Sequence, residues 1–238
     1  MDLRIATYNI RAGLSDGYFR KKDYHKAAEA VAAINADIIT LNEVGKKLPK
    51  DISDHAGFIA DKCGYKYYHF AVAHLFGEYP YGNAILSKFP IEQYAEIPVR
   101  ILRSPVPGIY EPRCILSTHI AAETPVRVIC THLGLFPDEQ RRGLRLISSL
   151  IESEEKLPTI VTGDMNISGH RPVITEKYGL KLRDACVLLN SPVNTYPSSR
   201  PRKRLDYIFV SEGIEVKRVY TIDTKASDHL PLAAEISI

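Results

Sequence analysis

Acidic, amide and imidazole residues recur where short apolar runs end in this 238-residue chain. Leu3-Arg4-Ile5-Ala6-Thr7-Tyr8 runs into Asn9, and Ile38-Ile39-Thr40-Leu41-Asn42 runs into Glu43. Val128-Ile129-Cys130-Thr131 meets His132, and Ile160-Val161-Thr162 leads to Gly163-Asp164-Met165-Asn166. Asp206 opens the run Tyr207-Ile208-Phe209, and Ser227-Asp228-His229 stands just before the last apolar stretch. Strand ends are the usual address of a site in a layered α/β protein. Taken singly, each residue has an ordinary explanation. Asn9, Asp228 and the Gly163 to Asn166 run are turn chemistry, Glu43 is a solvated strand end, His132 is a satisfied histidine, and Asp206 is a partner of Arg204 or a backbone cap.

Together the residues specify a narrower chemistry. A hard cation such as Mg²⁺ takes oxygen ligands, keeps several waters, and needs only one or two carboxylates beside substrate phosphate oxygens; Glu43 and Asp228 can supply them. Hydrolysis of a phosphate ester then requires an oriented water, a carboxylate to take its proton, and donors for the charge on the phosphoryl oxygens. Asp164, Asn166, Asn9, His132 and His229 have those chemistries. The adjacent Ser227, Asp228 and His229 also spell the members of a serine-hydrolase triad, but neighbours on one loop seldom converge as one.

The elements that must position these residues are short. Strand-like runs occupy 3–8, 37–41, 83–87, 114–120, 126–131, 159–162, 205–210 and 230–238. Helical patterns cover 24–35, 52–63 and 138–155, the last with Leu144, Ile147, Leu150 and Ile151 on one face and Asp138 as the expected N-cap. Ala122-Glu123-Thr124-Pro125 separates two adjacent strand runs and predicts a hairpin. No linker or repeat divides the chain, so one domain over 1–238 is expected, with α and β layers and a mixed sheet. The proline-bearing segments 100–112 and 190–203 are expected as surface loops.

Composition excludes more than it specifies. Apolar residues make up 45% and charged residues 25%, the balance of a globular protein. A net charge of +3, with Arg200-Pro201-Arg202-Lys203-Arg204 as the one dense basic run, is not the footprint of a dedicated nucleic-acid binder. The four cysteines are widely spaced, without a Cys-x-x-Cys pair, and Cys114 and Cys130 are expected as buried free thiols. No apolar run approaches the roughly 20 residues of a membrane span. The first residues enter a strand pattern without the features of a signal peptide, which predicts a cytoplasmic protein.

The motifs Thr7-Tyr8-Asn9-Ile10-Arg11, Leu41-Asn42-Glu43-Val44, Tyr81-Gly82-Asn83-Ala84-Ile85-Leu86-Ser87, Thr131-His132-Leu133, Gly163-Asp164-Met165-Asn166, Arg204-Leu205-Asp206-Tyr207-Ile208-Phe209 and Ser227-Asp228-His229-Leu230-Pro231 resemble, in order and over essentially the whole chain, those of the endonuclease/exonuclease/phosphatase superfamily. Asn42 stands where that family commonly has Gln, and Leu205 where Ile is frequent. The resemblance implies a four-layer α/β sandwich, two mixed β-sheets face to face with helices outside, and a site at one end of the sheets. It implies Mg²⁺, with Mn²⁺ as a substitute, held chiefly by Glu43 with Asn9 and Asp228 nearby. It further implies that Asp164 orients or deprotonates the attacking water, Asn166 holds a phosphate oxygen, Asp206 orients His229 against the phosphoryl group, and His132 stabilises developing charge. Asn83 and Arg113 fall in stretches like the family's substrate-side segments, and Arg204, at the end of the basic run, is expected to join them in binding substrate. A phosphate-ester substrate, small-molecule or lipid-headgroup, is favoured over a nucleic acid by the weak basicity; a nuclease and a non-catalytic binding module are the alternatives.

Overall fold

The structure, a computed structural model, describes residues 1–16, 22–45, 54–100, 110–153, 157–168 and 179–238. Strands are numbered along the chain. One six-stranded sheet contains β1 (Asp2–Asn9), β2 (Ile38–Gly45), β3 (Tyr67–Phe76), β4 (Tyr79–Ser87), β11 (Glu215–Thr221) and β12 (Leu232–Ser237), in the order β11-β12-β1-β2-β4-β3. The other contains β5 (Ile91–Val99), β6 (Arg113–Ile120), β7 (Val126–His132), β8 (Thr159–Asp164), β9 (Arg183–Asp184) and β10 (Asp206–Val210), in the order β5-β6-β7-β8-β10-β9. Each sheet has one parallel pair, β1 with β2 and β7 with β8, among antiparallel ones.

The layering follows from the alternation of side chains along a strand. In β1 and β2, Ile5 and Ile38 point inward and pack with Leu116, Val128, Ile160 and Ile208 of the facing sheet. Their neighbours Ala6, Tyr8, Ile39 and Leu41 point outward and are covered by Ala27, Val31, Ile34 and Ile59, from helices α1 (Tyr24–Ile34) and α2 (His55–Cys63). On the far side Ile129, Val161 and Phe209 pack against Leu144, Ile147 and Ile151 of α3 (Pro137–Ser153). Both faces of the central strands are therefore apolar, which is why they read as near-continuous runs. The architecture is the expected four-layer sandwich of helix, sheet, sheet and helix.

Caps set the helix starts. Asp23 accepts the His25 and Lys26 N–H groups ahead of α1, and Asp54 accepts the Gly57 N–H ahead of α2. Asp138 is not the cap expected of it: α3 begins one residue earlier, at Pro137, and Asp138 lies within its first turn. Proline, lacking an N–H and fixed at a helical φ, is suited to that first position, and the Phe136 carbonyl accepts the Gln140 N–H. A short fourth helix, α4 (Ala185–Leu188), is capped by Asp184.

The hairpin at 121–125 joins β6 to β7 as expected. Four strands were not anticipated: β3, β5, β9 and β11, the edge strands of the two sheets. The expected helix start at residue 52, the helix end at 155 and most of the 100–112 loop lie outside the described residues. Cys114, Cys130 and Cys186 are buried free thiols, and Cys63 is half-buried. Among the described residues no helix is long and apolar enough to cross a membrane.

Candidate active site

Strand register converges the polar residues. Asp164, at the end of β8, lies opposite His132 of parallel β7 on one side and opposite Asp206 of antiparallel β10 on the other. In the facing sheet Asn9 lies opposite Asn42, next to Glu43. Gly163 is what lets β7 and β8 close up at this point: its φ is +138°, and a Cβ there would sit 1.8 Å from the Thr131 carbonyl oxygen.

Asp164 is the centre of the site and almost fully buried. Its N–H donates to Asn42 Oδ1 at 2.9 Å, its Oδ1 accepts the Asn166 N–H at 2.9 Å, and its Oδ2 accepts from Asn9 Nδ2 at 3.0 Å. Two imidazoles also face Oδ2, His132 Nε2 at 3.5 Å and His229 Nε2 at 3.7 Å. Burial pushes this carboxyl up from its usual range, opposed by His229 and reinforced by Asp206.

The two histidines have opposite partners behind them. His229 Nδ1 is 2.8 Å from Asp206 Oδ2, and Asp206 is fully buried. Burial works against a charged ring, but Asp206 and Asp164 outweigh it and hold His229 up at about 10. His132 Nδ1 is 3.0 Å from an Arg113 guanidinium nitrogen. Burial, then the Arg113 and His229 charges, holds His132 well below its ordinary value.

Glu43 and Asp228 occupy the solvent side. Glu43 stands in the left-handed region, φ +57°, where the pairing of β2 with β4 slips register between Leu41 and Val44. That bulge turns its carboxylate toward the site instead of along the sheet. Its Oε1 accepts from Asn9 Nδ2 at 3.1 Å. Asp228 Oδ2 lies 3.2 Å from Arg11 Nε. Asn9, expected as a metal ligand, has its amide nitrogen turned to Glu43 and Asp164 and its Oδ1 accepting the Arg11 N–H at 3.0 Å. It is placed first as a strut between two carboxylates, with a second lone pair on Oδ1 left over.

A cavity of about 620 Å³ opens over these groups, lined among others by Glu43, Tyr81, Glu111, Arg113, His132, Glu139, Asp164, Asn166, Tyr196, Lys203, Asp228 and His229. The carboxylates and amide oxygens here are hard donors of the kind Mg²⁺ prefers. Asp164, Asp206 and His229 also place ligand atoms within 4.8 Å of one another, but the Nδ1–Oδ2 hydrogen bond already uses two of these atoms, and the trio is better described as an aspartate–histidine pair beside Asp164.

Two expected substrate contacts are elsewhere. Asn83 is buried, with Oδ1 accepting from Asn42 Nδ2 at 2.9 Å and Nδ2 donating to the Cys114 carbonyl at 2.9 Å; it ties the two sheets together beneath the site. Arg204 is fully buried, its guanidinium forked on Asp184 at 2.9 and 2.6 Å and stacked 4.2 Å from the Tyr207 ring. A buried carboxylate with matching geometry outcompetes the pocket for that fork. Arg113 lines the pocket, yet it is pinned between His132 and Glu111, the latter at 3.3 Å. Asn166 lines the pocket as expected, its Nδ2 donating to the Leu133 carbonyl at 2.9 Å.

Sequence reasoning passed over Asn42, Arg11, Glu111 and Glu139. Asn42 had a signal, its place beside Glu43: fully buried, it holds the Asp164 N–H, Asn83 and the Thr131 carbonyl at once. Arg11 stood within the first motif. Glu111 follows a proline-bearing stretch of sequence and Glu139 lies in the first turn of α3, and neither carries a pattern that marks it.

Comparison with known proteins follows the same lines. The model of the family described as "Endonuclease/Exonuclease/phosphatase family" matches residues 6–229. The uncharacterized protein YbhP of Escherichia coli (strain K12) is 27% identical over 248 residues, covering 99% of this chain and 96% of YbhP. Among solved structures, an endonuclease/exonuclease/phosphatase from Beutenbergia cavernae superimposes with a TM-score of 0.81 at 22% identity, covering 100% of this chain and 72% of that one. The mannosyl-6-phosphatase Bt3783 of Bacteroides thetaiotaomicron superimposes with a TM-score of 0.71 at 17% identity, covering 99% and 100%.

Proposed function

This chain belongs to the endonuclease/exonuclease/phosphatase family, and we propose that it is a divalent-metal-dependent hydrolase of phosphate esters whose substrate is a small organic phosphate or a lipid headgroup. The observation that carries this reading is Asp164, buried between two imidazoles and open on the Glu43 and Asp228 side to a single cavity.

Glu43 and Asp228, with Asn9 Oδ1 beside them, would hold a Mg²⁺ or Mn²⁺ ion, which when bound supplies Lewis-acid neutralisation of the phosphoryl oxygens. Asp164 Oδ2 accepts the proton of the attacking water, its strong basicity coming from burial. The oxygen of that water forms a bond to phosphorus as the ester P–O bond breaks in line, the ester oxygen leaving with the bonding pair and taking a proton from solvent as the free alcohol, without a covalent enzyme intermediate. His229, kept cationic by Asp206, donates Nε2–H to the phosphoryl group. His132 Nε2 and the Asn166 amide face the same space and donate to its remaining oxygens.

Charge at the rim favours a compact substrate over a polyanion. Among the described residues five carboxylates, Glu43, Glu111, Glu139, Asp164 and Asp228, line the cavity against three cations, Arg113, Lys203 and the His229 ring. Nucleic-acid binding draws on many phosphate contacts with basic side chains, and the fork of Arg204 is committed to Asp184. A phosphatase on the same fold, Bt3783, supports a small phosphate ester.

The test is turnover of an aryl phosphomonoester, an aryl phosphodiester, a sugar phosphate, sphingomyelin and single-stranded DNA by the Mg²⁺-loaded enzyme. EDTA should abolish hydrolysis and excess Mg²⁺ should restore it. Undiminished turnover in EDTA contradicts the metal assignment; DNA as the fastest substrate makes the protein a nuclease, and no turnover of any ester leaves a binding module.

A further inference from the structure

Arg113 is nine-tenths buried at the start of β6. One terminal nitrogen lies 3.0 Å from His132 Nδ1 and the other 3.3 Å from Glu111 Oε2. A guanidinium has five N–H donors, no acceptor, and does not deprotonate in proteins. His132 Nδ1 must therefore accept, and a neutral imidazole that accepts at Nδ1 carries its proton on Nε2. Nε2 faces the cavity, 3.5 Å from Asp164 Oδ2 and 3.1 Å from Asn166 Nδ2, one of whose two N–H groups goes to the Leu133 carbonyl. The charged groups around the ring are Arg113 from β6, Asp164 from β8 and His229 from the loop before β12.

We propose that Arg113, clamped by Glu111, is a positioning residue that fixes His132 as the neutral Nε2–H tautomer, a permanent hydrogen-bond donor to the phosphoryl group that takes no part in proton transfer. The role of the donor rests on the phosphoesterase reading; the tautomer does not. A carboxylate behind the ring would do the reverse, as Asp206 does behind His229, by accepting from Nδ1–H and favouring the cation. The low titration of His132, set by burial and then by Arg113 and His229, agrees with the geometry. Arg113 as a direct substrate contact is the competing role, and the two separate experimentally.

Imidazole ¹⁵N spectra of the Mg²⁺-loaded full chain, assigned by loss of one ring in His132→Gln, should show His132 with its proton on Nε2 from about pH 5 to 8. In Arg113→Met the ring should change tautomer population and titrate inside that window, and kcat should fall about 10- to 100-fold, up to the loss expected for one transition-state donor, with KM moved less than about threefold. Arg113→Lys, which restores a charged donor, should recover the Nε2–H signature and part of kcat. Glu111→Gln alters a more exposed group and should give an intermediate spectrum where Arg113→Met fails to fold. A wild-type ring protonated at Nδ1, a spectrum untouched by Arg113→Met and Glu111→Gln, or a raised KM with kcat and spectrum unchanged overturns the proposal. The spectra are read without substrate, so a protein that turns over no phosphate ester contradicts the proposed function while leaving the tautomer decided.

Discussion

His132 and His229 sit almost equally far from Asp164 Oδ2, at 3.5 and 3.7 Å, and differ in what stands behind them. His132 has a guanidinium at Nδ1 and His229 a carboxylate. A second partner 3 Å away thus assigns two chemically identical side chains to opposite protonation states in one pocket. The cationic ring can give up a proton; the neutral ring can only donate a hydrogen bond. The pairs also differ in accessibility, since Asp206 is fully buried while Glu111, behind Arg113, is about a third exposed.

The comparison breaks most visibly at Asp206. Asp206→Asn removes the charge that holds His229 cationic and should lower kcat on an aryl phosphate by about 10³-fold or more, the scale of losing a carboxylate that orients a catalytic imidazole; an unchanged kcat would make the two pairs equivalent. Arg204→Met is the structural counterpart, removing one member of a buried arginine–carboxylate pair that does not line the cavity. Leaving Asp184 unpaired should cost about 3–5 kcal/mol in chemical denaturation, with kcat of the folded fraction unmoved. His132→Gln should reduce kcat by about 10²-fold without displacing the pH optimum, because a fixed donor has no protonation step to lose.

Smallest in size but most specific is the pH dependence of stability in EDTA-treated protein. His229 has a folded value raised above the usual 6.5, so its contribution is fully present below that value and is lost as pH rises toward about 10. His132 has a folded value lowered from 6.5, so its contribution is present above that value and is lost as pH falls below it. Melting curves should therefore flatten on the alkaline side in His229→Gln and on the acid side in His132→Gln. Matching slopes in the two variants would contradict their opposite assignments.

The central strands were legible because both of their faces are buried, which makes runs such as Ile38 to Leu41 and Val128 to Thr131 rich in apolar and β-branched residues. The edges were not. In β5, Glu92, Gln93, Tyr94 and Glu96 are exposed, and Pro98 is tolerated because an edge strand can spare a ladder donor. β3 likewise exposes Tyr67, Tyr68, Val72 and Leu75, so no single-faced alternation marks it. Site residues at strand ends stood out by position, and strand register, a long-range property, then brought Asp164, Asp206 and His132 side by side. Partners were harder to read. Nothing in residue type says that Arg204 turns inward to Asp184 while Arg113 meets a histidine, since both depend on segments distant in sequence.

The most direct measurement is single-turnover phosphate release from an aryl phosphomonoester by Mg²⁺-loaded wild type and Asp164→Asn. If Asp164 takes the proton of the attacking water between the two histidines, the variant should be slower by about 10³-fold or more, with its imidazole spectra still showing one cationic and one neutral ring. A variant within tenfold of wild type would mean that the water is activated elsewhere, and that the pocket built around Asp164 is not the seat of the chemistry.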